Sequence, residues 1–535
     1  MHDRRTMARA LMARALAPLA LALLVMLPRL ASPQFGLLDD GLTLQTGREM
    51  HGRWSSVVHL IPETGRFFPA YWLAYSWIVT VVGADPLAFF TVNLLLFAGL
   101  LAILARLVRS SGGTVAQAAV AALVLALSGP AIETFYTLSK AEALQTTWIG
   151  LSLLLVAAAA VAPPMRRAGL VALAAATLFV AYATKETSVV LIPIALGWLL
   201  IEWRSTEAPG AWRRFAATYL AINLVAAAAF VAVRWQYAAL ALGEGSYTRA
   251  YALQSAGPAL FRILAWLARD FAFLLPLALA VPWLVRSAPA HRRPLLYAGV
   301  WMAGWLAVYL PWPATFEYYL LPFACGAATL AGIVAGGVWR RRPEAPAVLT
   351  VGGLLWLVAI VNTVADARVQ LAVDRANAAL VEFLGGVPGG SRVVLNMTPV
   401  NEYHFELPMH LTEIKRRRDV VLEPVGRAGP HAPSTADVFV VTAEMANQPG
   451  PTVRIALHEW GVRGDHATLH TMLAGRAEPV YRTVQHTPLV ELGLHRLLCR
   501  VAVPPVMDPT YCPRDRGLVH RATFSYGWQV HRLAP

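Results

Sequence analysis

Apolar runs of membrane-crossing length, recurring from about residue 11 to residue 364 and punctuated by arginine-bearing turns, constrain this chain more than any other feature. A crossing takes about 20 mostly apolar residues, and cytoplasmic loops collect Arg and Lys. Eleven runs can be placed, at 11–30, 87–108, 115–127, 143–161, 170–183, 189–201, 215–233, 260–285, 295–310, 319–338 and 348–364. With the N-terminus cytoplasmic, the clusters at Arg106 and Arg109, Arg166 and Arg167, Arg213 and Arg214, Arg292 and Arg293, and Arg340 to Arg342 all fall on one side. The stretch 67–82 is apolar but short and stops at the turn Gly83 to Pro86, so it reads as an interfacial or re-entrant helix. A cleavable signal peptide competes for the first run, but no clear small-residue cleavage site precedes Pro33 and further spans follow.

Composition agrees. Hydrophobic residues make up 57% and charged ones 14%, with mean hydropathy +0.52, where soluble domains carry about a quarter charged residues. The net charge of +14 comes from arginines that flank spans instead of pooling in one patch, so it reflects topology and implies no nucleic-acid partner. Beyond Asp366 no span-length run occurs. Strand-like pieces at 392–395 and 437–442 alternate with helical stretches such as 374–384. The expected architecture is an all-α polytopic membrane domain over 1–365, followed by an α/β or α+β domain over 366–535. An odd number of spans makes that second domain extracytoplasmic.

By this count Asp39, Asp40, Arg66, Glu133, Lys140, Glu142, Lys185, Glu186 and Glu317 all lie at external span ends. Ionisable groups near the hydrocarbon cost roughly 2.5–3.5 kcal/mol each at a helix centre, so they pair or line a wet cavity. A polar cavity open to the outside and roofed by the C-terminal domain would accommodate them. In Asp39-Asp40 one carboxylate can serve as a base or bind an acceptor while the other orients a partner or a metal. The plainer alternative is a solvated loop capping a helix from Leu42 onward. Only Lys140, Lys185 and Lys415 are lysines, against 42 arginines. Lys140 and Glu142 are two apart, and Lys185 and Glu186 about 100° apart on a helix, so neither lysine is neutralised by its neighbour. Each needs a partner from another segment, as in a structural ion-pair network, or a ligand, which a phosphate would suit.

Other residues carry less. Tyr318 and Tyr319 sit at a span end, as interface anchors do, close enough to the cavity to touch a ligand. His458, His466 and His470 match no tight metal-ligand spacing, and Lys415 to Arg418 reads as a solvated helix end. Cys325 reads as a small buried apolar residue, while Cys499 and Cys512 can bridge if their region is external.

Taken in order, these features resemble the GT-C superfamily of integral membrane glycosyltransferases, which includes protein O-mannosyltransferases and aminoarabinose transferases. The resemblance covers the chain to about Val364. It rests on Asp39-Asp40 in the first external loop, Arg66-Phe67-Phe68-Pro69, Glu142 in TLSKAEAL, Thr184-Lys185-Glu186-Thr187 and Glu317-Tyr318-Tyr319-Leu320-Leu321-Pro322. It implies a polyprenyl-phosphate sugar donor, an extracytoplasmic acceptor (glycan, lipid or protein), inversion at the anomeric carbon and residence in the bacterial inner membrane. One of Asp39 and Asp40 would be the general base. Arg66, Lys140 and Lys185 would hold the lipid phosphate, with Glu142, Glu186, Glu317, Tyr318 and Tyr319 completing the substrate site. Some relatives use a divalent metal, and Asp39 and Asp40 would be its ligands here, for Mg or Mn. Where the family often has Asp-Glu this chain has Asp-Asp, which leaves the division of labour between the two open. The rival classes are a transporter and a non-catalytic envelope-polysaccharide assembly protein. Against transport stand the absence of an inverted repeat and the gathering of charges at one face instead of the midplane.

Overall fold

The computed structural model describes residues 2–37, 39–53, 66–205, 210–238, 256–312, 316–341, 346–396, 403–424, 437–446, 477–500 and 517–533. Helices dominate to residue 385. In order they are α1 (His2–Ala31), α2 (Asp40–Glu49), α3 (Pro69–Val82), α4 (Pro86–Ser110), α5 (Val115–Ala126), α6 (Gly129–Phe135), α7 (Ala141–Val161) and α8 (Pro164–Thr184). There follow α9 (Leu191–Arg204), α10 (Gly210–Ala238), α11 (Ala256–Asp270), α12 (Leu274–Ser287), α13 (Arg292–Ala307), α14 (Leu321–Arg341) and α15 (Pro346–Gly385).

Each of the eleven expected crossings falls on helix, but the count of eleven is not reached by length and apolarity. Among the described residues seven helices are long and apolar enough to cross, or nine if each bent pair is one span. The pairs α5/α6 and α11/α12 bend by 62° and 83°. Pro130 sits in the first turn of α6, where its missing N–H costs nothing but the preceding residues are pushed out of helical conformation. The apolar part of α1, Leu16–Ala31, falls short of span length, and α13 has 16 residues. As expected, α3 is a short apolar helix, beginning at Pro69 and ending on Gly83, whose φ of 66° suits glycine. The bundle packs around the segment Glu317–Trp339, 78% of whose apolar window is buried.

The C-terminal region is a five-stranded mixed sheet built on the far half of α15. Its strands are β1 (Arg392–Leu395), β2 (Val421–Pro424), β3 (Val438–Ala446), β4 (Ala477–Leu492) and β5 (Val519–Leu533), in the order β2-β1-β3-β5-β4. β1 is parallel to both β2 and β3, and β5 is antiparallel to β3 and β4. The β1–β2 connection carries α16 (Tyr403–Glu413), as parallel pairing requires a crossover. Buried Val369, Val373, Ala376, Leu380 and Leu384 recur at helical spacing along α15 and face Val393, Leu395, Phe439, Val441, Trp528 and Val530 of the sheet. The polar exception in that face is Asn377, whose Oδ1 accepts from Trp528 Nε1 at 3.1 Å and Tyr526 Oη at 3.3 Å. α15 passes unbroken through residues 365 and 366, where the two domains were expected to part.

Candidate active site

The site forms where α2, the segment before α7, the end of α8 and the start of α14 meet beneath α16. Asp39 precedes α2 with φ 64° and ψ −8°, a left-handed conformation that costs an ordinary L-residue about 1–2 kcal/mol and that Asp tolerates better than most. Its carboxylate makes no capping bond to its own helix, which sets aside the plain capping-loop alternative for Asp39. Instead Oδ2 lies 3.1 Å from Lys140 Nζ, with the Asp39 side chain 48% exposed and the lysine 5%. Asp40 turns the other way and is buried. Its Oδ2 accepts from Gly36 N at 2.7 Å and its Oδ1 from Ser139 Oγ at 3.3 Å.

Lys140 is placed by a loop held from two helices. Tyr71 and Tyr75 of α3 donate their hydroxyls to the carbonyls of Ser139 and Leu138, and Asn93 of α4 donates to those of Phe135 and Thr137. Lys185, at the end of α8, pairs with Glu142 of α7. Gln145, one turn along α7, donates to the Lys185 carbonyl at 3.4 Å and to Ser188 Oγ at 2.9 Å. Both ammonium groups meet the same aromatic pair. Lys140 Nζ is 4.8 Å from the Tyr318 ring centre, and Lys185 Nζ is 4.3 Å from that of Tyr319 and 6.0 Å from that of Tyr318. Tyr319 stacks on Tyr309 at 5.0 Å, and Tyr318 N donates to Glu133 Oε2 at 2.9 Å.

Thus Asp39, Asp40, Lys140, Glu142, Lys185, Tyr318 and Tyr319 come together from segments up to 280 residues apart (319 − 39). Arg66 lies over the Phe68 ring at 4.4 Å, and Glu186 Oε1 accepts from Phe67 N at 2.7 Å, fastening the Arg66 segment to the end of α8. Glu317 goes elsewhere. It lies against Gly129, where a Cβ would collide with its carboxylate, and its electrostatic neighbours are Asp270, Asp366, Arg269 and Glu133. There Arg269 forms the hub of a buried cluster, with Asp366 at 2.7 Å, Asp270 at 3.2 Å and Glu491 of β4 at 3.7 Å; Arg496 pairs with Glu491 at 2.6 Å.

Several residues at the site carried no sequence signal. Arg29, fully buried, pairs with Asp374 of α15 at 2.8 Å beside the Gly36–Asp40 turn. Glu406 of α16 accepts from Gly41 N at 2.6 Å and Leu42 N at 3.2 Å, and His410 follows one turn later. An arginine inside the first apolar run was the one available hint for Arg29. The i, i+4 pair Glu406 and His410 resembles any charged helix face. Lys415 pairs with Glu382, and Cys325 is buried and free. Cys499 is disulfide-bonded; Cys512, its expected partner, lies outside the described residues, as do His458, His466 and His470.

At α2 and α16, burial dominates titration. It pushes Asp40 up to about 7 against the pull of the Gly36 N–H, with Asp374 and Glu406 adding to the rise. Burial likewise lifts Glu406 to about 8, and it lowers His410 to about 4. An acid whose pKa is raised by folding stabilises the fold below its unfolded value and loses that contribution as pH rises through the folded one. Asp40 and Glu406 therefore weaken the fold between about pH 4 and 8, while His410 acts oppositely between 6.5 and 4. Asp40→Asn is expected to flatten the fall in apparent unfolding temperature between about pH 4 and 7. Identical pH dependence in the variant and the wild type would refute this account of Asp40.

The donor set does not suit the metal expected on Asp39 and Asp40. One carboxylate is engaged with Lys140, and the other is buried on Gly36 and Ser139. Among the described residues no group of three or more His, Cys, Asp or Glu is placed to hold a metal ion.

No family model matches the chain, and no curated protein sequence does. Among solved structures it is similar to ArnT from Cupriavidus metallidurans bound to undecaprenyl phosphate, at 15% identity and TM-score 0.48, covering 83% of this chain and 94% of that one. It is similar to the Archaeoglobus fulgidus oligosaccharyltransferase tethered with an acceptor peptide, at 11% identity and TM-score 0.46, covering 77% and 64%. It is similar too to the arabinofuranosyltransferase AftD from Mycobacteria, at 14% identity and TM-score 0.45, covering 97% and 40%. These structures are GT-C glycosyltransferases.

Proposed function

We propose that this chain is a membrane glycosyltransferase that moves a sugar from a polyprenyl-phosphate donor to an acceptor hydroxyl, with Asp39 as the general base. The observation that carries this reading is a half-exposed carboxylate paired with one of two lysines that share the Tyr318–Tyr319 rings. Asp40 is spent on Gly36 N and Ser139 Oγ and is too buried to meet an acceptor. A lipid phosphate entering at Lys140 and Lys185 gains charge-assisted donors and draws Lys140 away from Asp39. The freed carboxylate takes the acceptor's proton as its oxygen attacks the anomeric carbon. The bond from that carbon to the phosphate oxygen breaks, and polyprenyl phosphate leaves with the electron pair, its charge held by the lysines and Arg66. Attack opposite the leaving phosphate inverts the anomeric centre.

We also place the sheet-bearing end outside the bacterial plasma membrane, with residues 1–365 as catalytic unit and 366–535 as its extracytoplasmic partner. The disulfide at Cys499 supports that side, since such bonds persist in oxidising compartments.

Membranes carrying the protein, given undecaprenyl phosphates bearing labelled hexoses or pentoses, should release undecaprenyl phosphate and label an acceptor. Movement of intact donor across the bilayer without release would mark a transporter instead. Lys140→Gln is expected to weaken binding of undecaprenyl phosphate about 10–100-fold, the worth of one charge-assisted bond. The double variant Lys185→Gln with Glu142→Gln, which leaves no buried charge unpaired, should do the same. Wild-type affinity in both would remove the lysines from the phosphate site.

A further inference from the structure

An aspartate that precedes a helix ordinarily turns its carboxylate onto the free N–H groups of the first turn. Asp39 makes no such bond, and its carboxylate faces Lys140. The cap comes from the other end of the chain. Glu406 Oε2 accepts from Gly41 N at 2.6 Å and Oε1 from Leu42 N at 3.2 Å, so one buried carboxylate spans both amides at the positive end of α2.

We propose that Glu406 is a positioning residue for sugar transfer: by taking over the cap of α2, it holds Asp39 in its left-handed conformation with the carboxylate turned to the donor site. The proposal rests on Asp39 being the base. It makes the C-terminal domain part of the catalytic apparatus and not simply a roof.

Two features fit this role. The approach of α16 to α2 leaves no space at Gly41, where a Cβ would lie 2.6 Å from His410 Cδ2 and 2.7 Å from Glu406 Oε2. His410 closes the other side of the cap, its Nε2 3.6 Å from Glu406 Oε2 and its ring edge-on to Phe35. The same two helices are also joined by Arg48 and Glu413 at 2.8 Å. Gly41 to Arg48 and Glu406 to Glu413 are both seven residues (48 − 41 and 413 − 406), so α2 and α16 run side by side in one direction. That second tie fastens the helices about two turns from Asp39 without touching the cap, which makes it an internal control.

The test uses the full-length protein in lipid nanodiscs, comparing Glu406→Ala, Glu406→Gln, Arg48→Met and Asp39→Asn. Turnover is read with the undecaprenyl-phosphate sugar that the wild type uses, and amide exchange is followed over residues 40–43. Glu406→Ala should lose about 100-fold in kcat with KM for the donor within about twofold, as misplacement of a reacting group does. Its amide exchange should quicken about tenfold, the effect of losing one cap. Glu406→Gln, which keeps one acceptor oxygen, should fall between Glu406→Ala and the wild type, and Arg48→Met should stay close to the wild type in both readouts. Wild-type kcat per folded Glu406→Ala enzyme would overturn the proposal. So would exchange in that variant no faster than in Arg48→Met. Full turnover by Asp39→Asn would instead remove Asp39 as the base, and the positioning role with it; the exchange data would then show separately whether Glu406 caps α2.

Discussion

Asp39→Asn is expected to abolish sugar transfer, losing about 10²–10⁴-fold in kcat, the range a positioned general base supplies. The same substitution should leave the affinity for undecaprenyl phosphate unchanged or higher. Asparagine keeps the shape of the side chain and tolerates the left-handed backbone at this position, so the fold has no reason to change. It removes the negative charge that holds Lys140, leaving that ammonium available to a phosphate. A dead enzyme that binds its lipid at least as well is the signature of a base competing with the ligand for one lysine. Asp40→Asn should behave differently. Its carboxylate fixes the Gly36 amide and the Ser139 hydroxyl, so loss of activity should come with a loosened turn and a changed pH dependence of stability. Turnover surviving Asp39→Asn would end the catalytic assignment.

Arg269→Met should be the most destabilising single substitution among the polar groups described above. The guanidinium sits fully buried among Asp366, Asp270 and Glu491, and its removal strands those carboxylates without their shared cation. Breaking one partner out of a buried ion pair costs about 3–5 kcal/mol, and this hub serves more than one. Because Glu491 belongs to β4 and Arg269 ends α11, the damage should appear at the contact between sheet and bundle. Limited proteolysis should cut the C-terminal region faster in the variant, and the apparent unfolding temperature should drop. Arg269→Lys, which keeps the charge but not the fork of donors, should be intermediate. An unfolding temperature equal to the wild type would mean that the stranded carboxylates take up protons and stay neutral without the arginine, and would refute the hub role.

Much of the membrane half was legible from residue order alone, because an apolar run of span length has few other destinations. Span counting brought Asp39, Lys140, Lys185 and Tyr318 to one end of the bundle, and the structure places them in one cluster. Counting could not show which aspartate faces outward, since that depends on the backbone angle at Asp39 and on bonds to Gly36 and Ser139. Glu317 misled for a related reason. A position at a span end fixes depth, not direction, and its side chain turns toward Asp270 and Arg269 instead of the lysines. Glu406 and Asp374 were out of reach because they belong to segments whose apolar pattern describes only their own core. Their contacts with Gly41 and Arg29 bridge more than 340 residues.

α15 has a mechanical consequence of its own. Forty residues of uninterrupted helix form a strut about 60 Å long, rooted among the crossing helices and ending inside the sheet's hydrophobic core. A strut transmits tilt. Because its two ends belong to one unbroken helix, the sheet cannot lean away from the bundle unless α15 itself bends.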